Sequence, residues 1–312
     1  MTATSLAPDT ARPSGTAHDK VKRRVRPARI VLHVFLAGTA LAWLLPILWA
    51  FYTTLRPYAE TQANGYLSLP KTLNFSNYVN AWQQSGMAGY FRNTLIIAVP
   101  AVIVTLMLSS FVAFAVTRYS FKFNLLLLMI FTAGNLLPQQ VIITPLYRLY
   151  LLIHLPNFAW PAGLSDSGEM YNSLFGLIVI HIAFQSGFCT FVLSNYMKTI
   201  PAGLQEAAVV DGATVWQIYS KIFLPLLKPA MAALATLLSI WIYNDFFWAL
   251  VLISDGSKMP ITSSLANLSG TFTTDGNLVT AGALLTAIPT LIVYFVLQKQ
   301  FVSGLTLGAE KG

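Results

Sequence analysis

Long apolar runs alternate with shorter polar stretches along the 312-residue chain. Six runs are long enough to be membrane spans: Ile30 to Tyr52, Thr94 to Val116, Leu125 to Leu146, Leu174 to Tyr196, Ala230 to Ile253 and Leu278 to Leu297. A helix rising about 1.5 Å per residue needs about 20 apolar residues to cross a hydrocarbon core of about 30 Å. Inside these runs the only Asp, Glu, Lys or Arg is Asp245. The bilayer core offers no water to backbone N–H and C=O groups, so spans this apolar are predicted to be helices. A barrel would show short alternating strands instead.

The stretch between the fourth and fifth runs, "QEAAVVDGATVWQIYSKIFLP" at residues 205–225, is ordered like a helix and does not read as a plain connector. Pro201 suits a first helical turn, where its missing N–H costs nothing. Leu204, Ala207, Ala208 and Asp211 then fall on one side at helical spacing. Gly212 suits the left-handed position that closes a helix. Thr214, three residues before Gln217, forms a capping-box pattern for a second helix, with Val215, Ile218, Tyr219 and Ile222 as its apolar stripe. Pro225 is expected to stop that helix and Pro229 to open the fifth span. The insert therefore reads as two short helices hinged at Gly212, the first presenting small alanines and carboxylates. The residues alone leave two readings open, a docking element or an interfacial amphipathic loop.

Composition supports the membrane reading. Hydrophobic residues make up 55% of the chain and charged residues 10%, against about 25% charged in soluble domains. With the N-terminus in the cytoplasm, inside segments carry fourteen Lys and Arg and outside loops five, so the positive-inside bias puts both termini and the insert in the cytoplasm. Residues 1–29, with "KVKRRVRPAR", are expected to form a disordered basic tail near anionic lipid. Nothing in that tail resembles a nucleic-acid module. Residues 30–300 form the six-helix domain, with 197–229 as the insert loop, and 301–312 form a C-terminal cytoplasmic tail. Cys189, alone within a span, excludes an internal disulfide and a cysteine metal site. No catalytic set, metal motif or cofactor signature is present.

The order Glu206, Ala207, Ala208, then Gly212, then nine residues, then Ile222, Phe223, Leu224 and Pro225 resembles the EAA signature of bacterial ABC importer permeases. "EAAVVDGAT" is similar to the carbohydrate (maltose/glycerol-3-phosphate-type) branch of that family. "RNTLIIAVPAVIVTLMLSSFVAFAVTRYSF", "LLPQQVIITPLYRLYLLIHL", "YNDFFWALVL" and "VLQKQFVSGLTLGAEKG" resemble its other segments, with Tyr243 in place of the usual Trp. The outer loop at 156–173 is longer than the branch's pattern.

The resemblance implies an all-α polytopic membrane protein with six transmembrane helices, the type I ABC importer permease fold, both termini cytoplasmic, in a bacterial inner membrane. It implies a second permease subunit as heterodimer partner, two cytoplasmic ATPase subunits and an extracytoplasmic sugar-binding protein. ATP hydrolysis is expected on those ATPases, since the chain has no Gly-x4-Gly-Lys-Ser/Thr phosphate loop. The implied ATPase-coupling residues are Glu206 for a charged contact, Ala207 and Ala208 for close packing, Gly212 for the hinge, with Asp211, Leu224 and Pro225 beside them. Asp245 is costly in a span and must face a cavity or partner. With Trp241, Tyr243, Asn244 and Trp248 it makes an aromatic, hydrogen-bonding set suited to sugars, or else a structural contact with neighbouring helices. His33 and His181 read as interhelical contacts. A secondary transporter would show more intramembrane ionisable groups or symmetric halves. An intramembrane enzyme using Asp245 or Cys189 lacks a placed partner.

Overall fold

The computed structural model describes residues 27–134, 138–154, 164–165, 168–268 and 275–306. The described residues are helical apart from turns and one isolated β-bridge between His154 and Glu169. The chain divides into two units, Met1–Trp49 and Ala50–Gly312. Helix α1 (Pro27–Thr54) crosses that division, and from Ala28 to Trp49 its side chains are exposed on every side. A helix apolar all round has lipid as its natural surroundings.

In the second unit come α2 (Tyr58–Asn64), α3 (Ser76–Gln84), α4 (Met87–Arg118), α5 (Asn124–Ala133) and α6 (Ile143–Leu152). They are followed by α7 (Leu174–Met197), α8 (Gly203–Val210), α9 (Val215–Gln217), α10 (Leu224–Tyr243), α11 (Phe247–Leu252), α12 (Ile261–Ser264) and α13 (Gly276–Thr306). Among the described residues, five helices are long and apolar enough to span: Ala28–Thr54, Met87–Arg118, Leu174–Met197, Val215–Tyr243 and Gly276–Val296.

The core forms where α4 lies along α7 and α10 packs on α4 and α13. Its seam is lined by small and hydroxylated residues: Ala101, Thr105, Ser109 and Ala113 on α4, Ser186, Cys189, Thr190 and Ser194 on α7. Leu95, Val99, Ile103 and Phe111 of α4 and Phe191 of α7 point outward. This inversion of the soluble pattern is what lipid imposes, because tails solvate Leu as well as a core does and small residues let backbones approach. Ser109 Oγ donates to Ser186 O across the seam at 3.0 Å.

Three sequence expectations need correction. The third run is not one helix: α5 ends at Ala133, and Pro138 lies extended (φ −58°, ψ 130°) before a 3-10 turn at Gln139–Ile142 and then α6. Hydropathy does not register the N–H that Pro138 lacks or the bend it imposes. The insert's second helix does not stop at Pro225, nor does the fifth span open at Pro229. The helix is continuous from Val215 to Tyr243, through a π-helical segment at Ile218–Phe223. Leu224 N–H reaches back to Tyr219 O, and this wider turn leaves Pro225 in the first turn of α10, where no donor is needed. The same run also breaks at Asn244–Phe246, so Asp245 sits at a helix break rather than within a span. Finally, Pro27, Ala28 and Arg29, expected in the tail, already open α1, and α13 continues to Thr306. Residues 1–26 and 307–312, and much of the 156–173 loop, lie outside the described residues.

At the end opposite the insert, a polar knot fixes the segment after α1. Buried Arg56 donates to Ser68 Oγ (2.6 Å), Gly65 O (3.2 Å), Tyr66 O (3.3 Å) and Glu60 Oε1 (3.4 Å). Asn77 and Asn277 both donate to Arg56 O, at 2.8 and 3.0 Å, which pins α3 and the start of α13 to one carbonyl.

Candidate functional site: the insert and a polar cavity

Helix α8 closes as a Schellman turn. Gly212, at φ +75°, donates to Val209 O at 3.0 Å, and Ala213 donates to Ala208 O at 2.9 Å. The second helix starts on a complete capping box: Gln217 N–H donates to Thr214 Oγ1 (3.3 Å), and Thr214 N–H donates to Gln217 Oε1 (2.8 Å). Both devices are local, so the chain turns sharply between α8 and α9 on its own chemistry.

The turn decides what α8 presents. Glu206, Ala207, Val209, Val210, Asp211 and Gly212 are exposed, Val210 at 87%. Ala208 faces the other way, into the main core. Two exposed valines and a free carboxylate on one short helix make a surface able to enter an apolar cleft with a basic rim. Leu224 is half-buried against the core and Pro225 is exposed on α10.

The second site is a cavity of about 630 Å³ at the break between α10 and α11. Trp241, Asn244, Asp245 and Trp248 line it, together with His181 and Gln185 from α7 and Gln139 from the turn after Pro138. Tyr243 does not join them. It is buried on the other side of α10, where its hydroxyl donates to Thr286 O of α13 at 2.8 Å. Trp248 is also buried, its ring 5.1 Å from that of Phe184, so it forms wall rather than free surface. Trp241, Asn244 and Phe246 are exposed lining residues.

Asp245 is held by its own chain. Its carboxylate accepts from Trp248 N (3.4 Å) and Ala249 N (3.3 Å), capping the first turn of α11, and Thr262 Oγ1 donates to its carbonyl at 2.5 Å. His181 Nε2 stands 3.8 Å from Asp245 Oδ2. The cavity thus combines aromatic faces, three amides and one acid, with no Lys or Arg among its lining residues. Gln139 and Gln185 were missed in the sequence. The signal for Gln185 was its position four residues after His181 on an otherwise apolar helix, which puts both on one face. Among the described residues no group of three or more His, Cys, Asp or Glu could hold a metal.

Residues 95–306 match the family described as binding-protein-dependent transport system inner membrane component. The chain belongs to that family. The permease is 32% identical over 288 residues to a probable ABC transporter permease protein of Pyrococcus horikoshii, covering 92% of this chain and 97% of the relative. It is 29% identical over 300 residues to the arabinooligosaccharides transport system permease protein of Halalkalibacterium halodurans, covering 94% and 100%. Its fold matches a crystal structure of a bacterial ABC transporter involved in the import of the acidic polysaccharide alginate, with TM-score 0.73 and 24% identity over 89% of this chain and 98% of that one. The permease is accordingly a multi-pass inner-membrane protein and the transmembrane subunit of an ABC importer, not an enzyme. ATP is hydrolysed on separate ATPase subunits, which leaves no place for an ion-gradient carrier or an intramembrane enzyme.

Proposed function

We propose that this permease forms half of the translocation path for an uncharged sugar or oligosaccharide, and that α8 docks an ATPase subunit. The observation carrying the proposal is the pairing, in one bundle, of an exposed α8 with an aromatic, amide-lined cavity that has no Lys or Arg in its lining, at a helix break. A second permease completes the path, two ATPases sit on the insert side, and an extracytoplasmic binding protein delivers the sugar. The arabinooligosaccharide and alginate importers among the similar proteins support the carbohydrate class. In this reading α5 and α6 together make the third of six crossings, both termini are cytoplasmic, and Glu206, Ala207, Asp211 and Gly212 form the docking face. Ala208 and Leu224 support it from within, and Pro225 lies exposed beside them in the first turn of α10.

Trp241 and Asn244 contact the sugar, the indole by stacking and the amide by hydrogen bonds. Asp245 acts first as the cap that opens the helix, a role its bonds to Trp248 and Ala249 favour over direct contact. ATP-driven closure of the ATPases pulls α8 and rocks the spans from inward-facing to outward-facing, a rigid-body change.

The test separates the two sites. Glu206→Ala should lose ATPase co-purification and uptake while inserting normally. Trp241→Ala and Asn244→Ala should keep the ATPases and lose uptake of the sugar bound by the co-purifying binding protein. Normal uptake in all three variants would refute both assignments.

A further inference from the structure

Arg118 ends α4 beside the insert and touches the end of α7, the connection to α8, Gln205 of α8 and the π-helical segment. Its Nη2 donates to Met197 O and, at 2.8 Å, to Ile200 O, where α7 ends and Met197 O also accepts from Ile200 N at 3.1 Å. The guanidinium carbon lies 4.5 Å from the ring centroid of Phe223, a fully buried side chain in the π-helical segment. Gln205 of α8 donates through Nε2 to Arg118 O at 3.4 Å. A cavity of about 500 Å³ separates the end of α4 from α8, lined by Thr117, Arg118, Gln205, Glu206, Val209 and Val210 among others. Direct packing between α8 and α4 is therefore loose here, and the Gln205 side chain reaches the Arg118 carbonyl while the guanidinium holds the α7–α8 connection.

Phe223 leads further into the bundle. Its ring is 5.3 Å from Phe114, and Phe114 is 5.3 Å from Tyr219, whose hydroxyl meets Ser110 Oγ at 2.7 Å. The π-helical turn is thus packed on α4 over two helical turns, with Arg118 at its open end. π-turns inside helices mark places where a helix changes register, and they recur at functional sites.

We infer that Arg118 is a positioning residue that transmits movement of α8 to α4 and to the long 215–243 helix, by clasping the α7–α8 connection on one side and the Phe223 ring on the other. This rests on the reading of α8 as the ATPase-docking helix. The role needs a permanently charged group that bonds the carbonyls through Nη2 while its planar face lies over a ring, a stacking that Lys does not provide. Arg118 spends Nη2 on the carbonyls behind it, and Glu206 stays exposed beside it.

The experiment uses the assembled importer with its ATPases and needs no known sugar. The variant Asn244→Cys, in the cavity, is labelled with a maleimide in the resting state and after trapping with ATP and vanadate. The native Cys189 is fully buried and gives little background. With Arg118 in place, trapping changes the labelling rate. With Arg118→Met, ATPase attachment and hydrolysis persist but the ATP-dependent change falls about tenfold, within the usual span of coupling between distant sites. Arg118→Lys gives an intermediate loss, and so does Phe223→Leu, which keeps the core filled and removes only the ring.

An ATP-dependent change of native size in Arg118→Lys and Phe223→Leu overturns the proposal, and these two decide should Arg118→Met fail to assemble. Glu206→Ala distinguishes the two levels. If it keeps its ATPases, the docking reading fails; if it loses them while Arg118 variants stay coupled, only the clasp fails.

Discussion

Replacing Gly212 tests how far the insert depends on one backbone angle. Gly212 sits at φ +75°, and a Cβ built there would meet nothing within 4 Å. Any cost of a side chain is therefore conformational. For an L-residue the left-handed region costs about 1–2 kcal/mol, and for β-branched valine about 3 kcal/mol. Against this stand the two Schellman bonds at 3.0 and 2.9 Å, together contributing about 2 kcal/mol net. Alanine should leave the closed turn close to balance, and valine should open it. A shift of about 2–3 kcal/mol changes the open-to-closed ratio about 30- to 150-fold. Asparagine, which tolerates this conformation, should stay closed.

The assay is co-purification of the ATPase subunits with Gly212→Asn, Gly212→Ala and Gly212→Val at matched membrane levels. The expected order is Asn, then Ala, then Val, with Val retaining little ATPase although the bundle inserts and folds. Because the side chain has open space, a clash cannot produce that order. Equal retention by Val and native chain would show that the hinge angle does not govern docking.

Two further predictions concern the fold that carries these sites. Gly176→Ala places a Cβ 2.1 Å from Met170 O and 3.0 Å from the Tyr150 ring, so the backbone entering α7 must shift; a loss of about 1–3 kcal/mol should appear as a lower melting temperature in detergent. Lys71 N–H, Thr72 N–H and Arg56 hold the Glu60 carboxyl below its ordinary value of 4.5, so its contribution is complete above about that pH and is lost as pH falls through the lower folded value. Thermal scans of the native chain should show a fall in that acid window that Glu60→Gln flattens, and an unchanged fall in the variant would exclude Glu60 as its source.

What could be read in the chain depended on the range of the interaction. The Schellman turn at Gly212 and the capping box at Thr214 need only residues three to five apart, and their residue types state the geometry. The five long helices follow from the lengths of the apolar runs, since lipid permits little else. Proline misled in both directions. At Pro138 an apolar run hid a break, and at Pro225 a punctuation residue hid continuity, because the π-turn before it absorbed the missing donor.

The cavity was legible as a cluster but not as a surface. Trp241, Tyr243, Asn244 and Asp245 are neighbours in sequence, yet Tyr243 turns to Thr286 while the others face His181 and Gln185. Adjacent residues at a helix end diverge by about 100°, and only the packing partner decides which side is wet. Arg118 shows the same limit more sharply. In the sequence it is one cation in a topological count, whereas its partners Met197, Ile200, Gln205 and Phe223 come from three later segments. A charge whose partners are backbone carbonyls leaves no complementary charge to find, so a coupling residue of this kind is visible only once the ends of α4 and α7 are brought together.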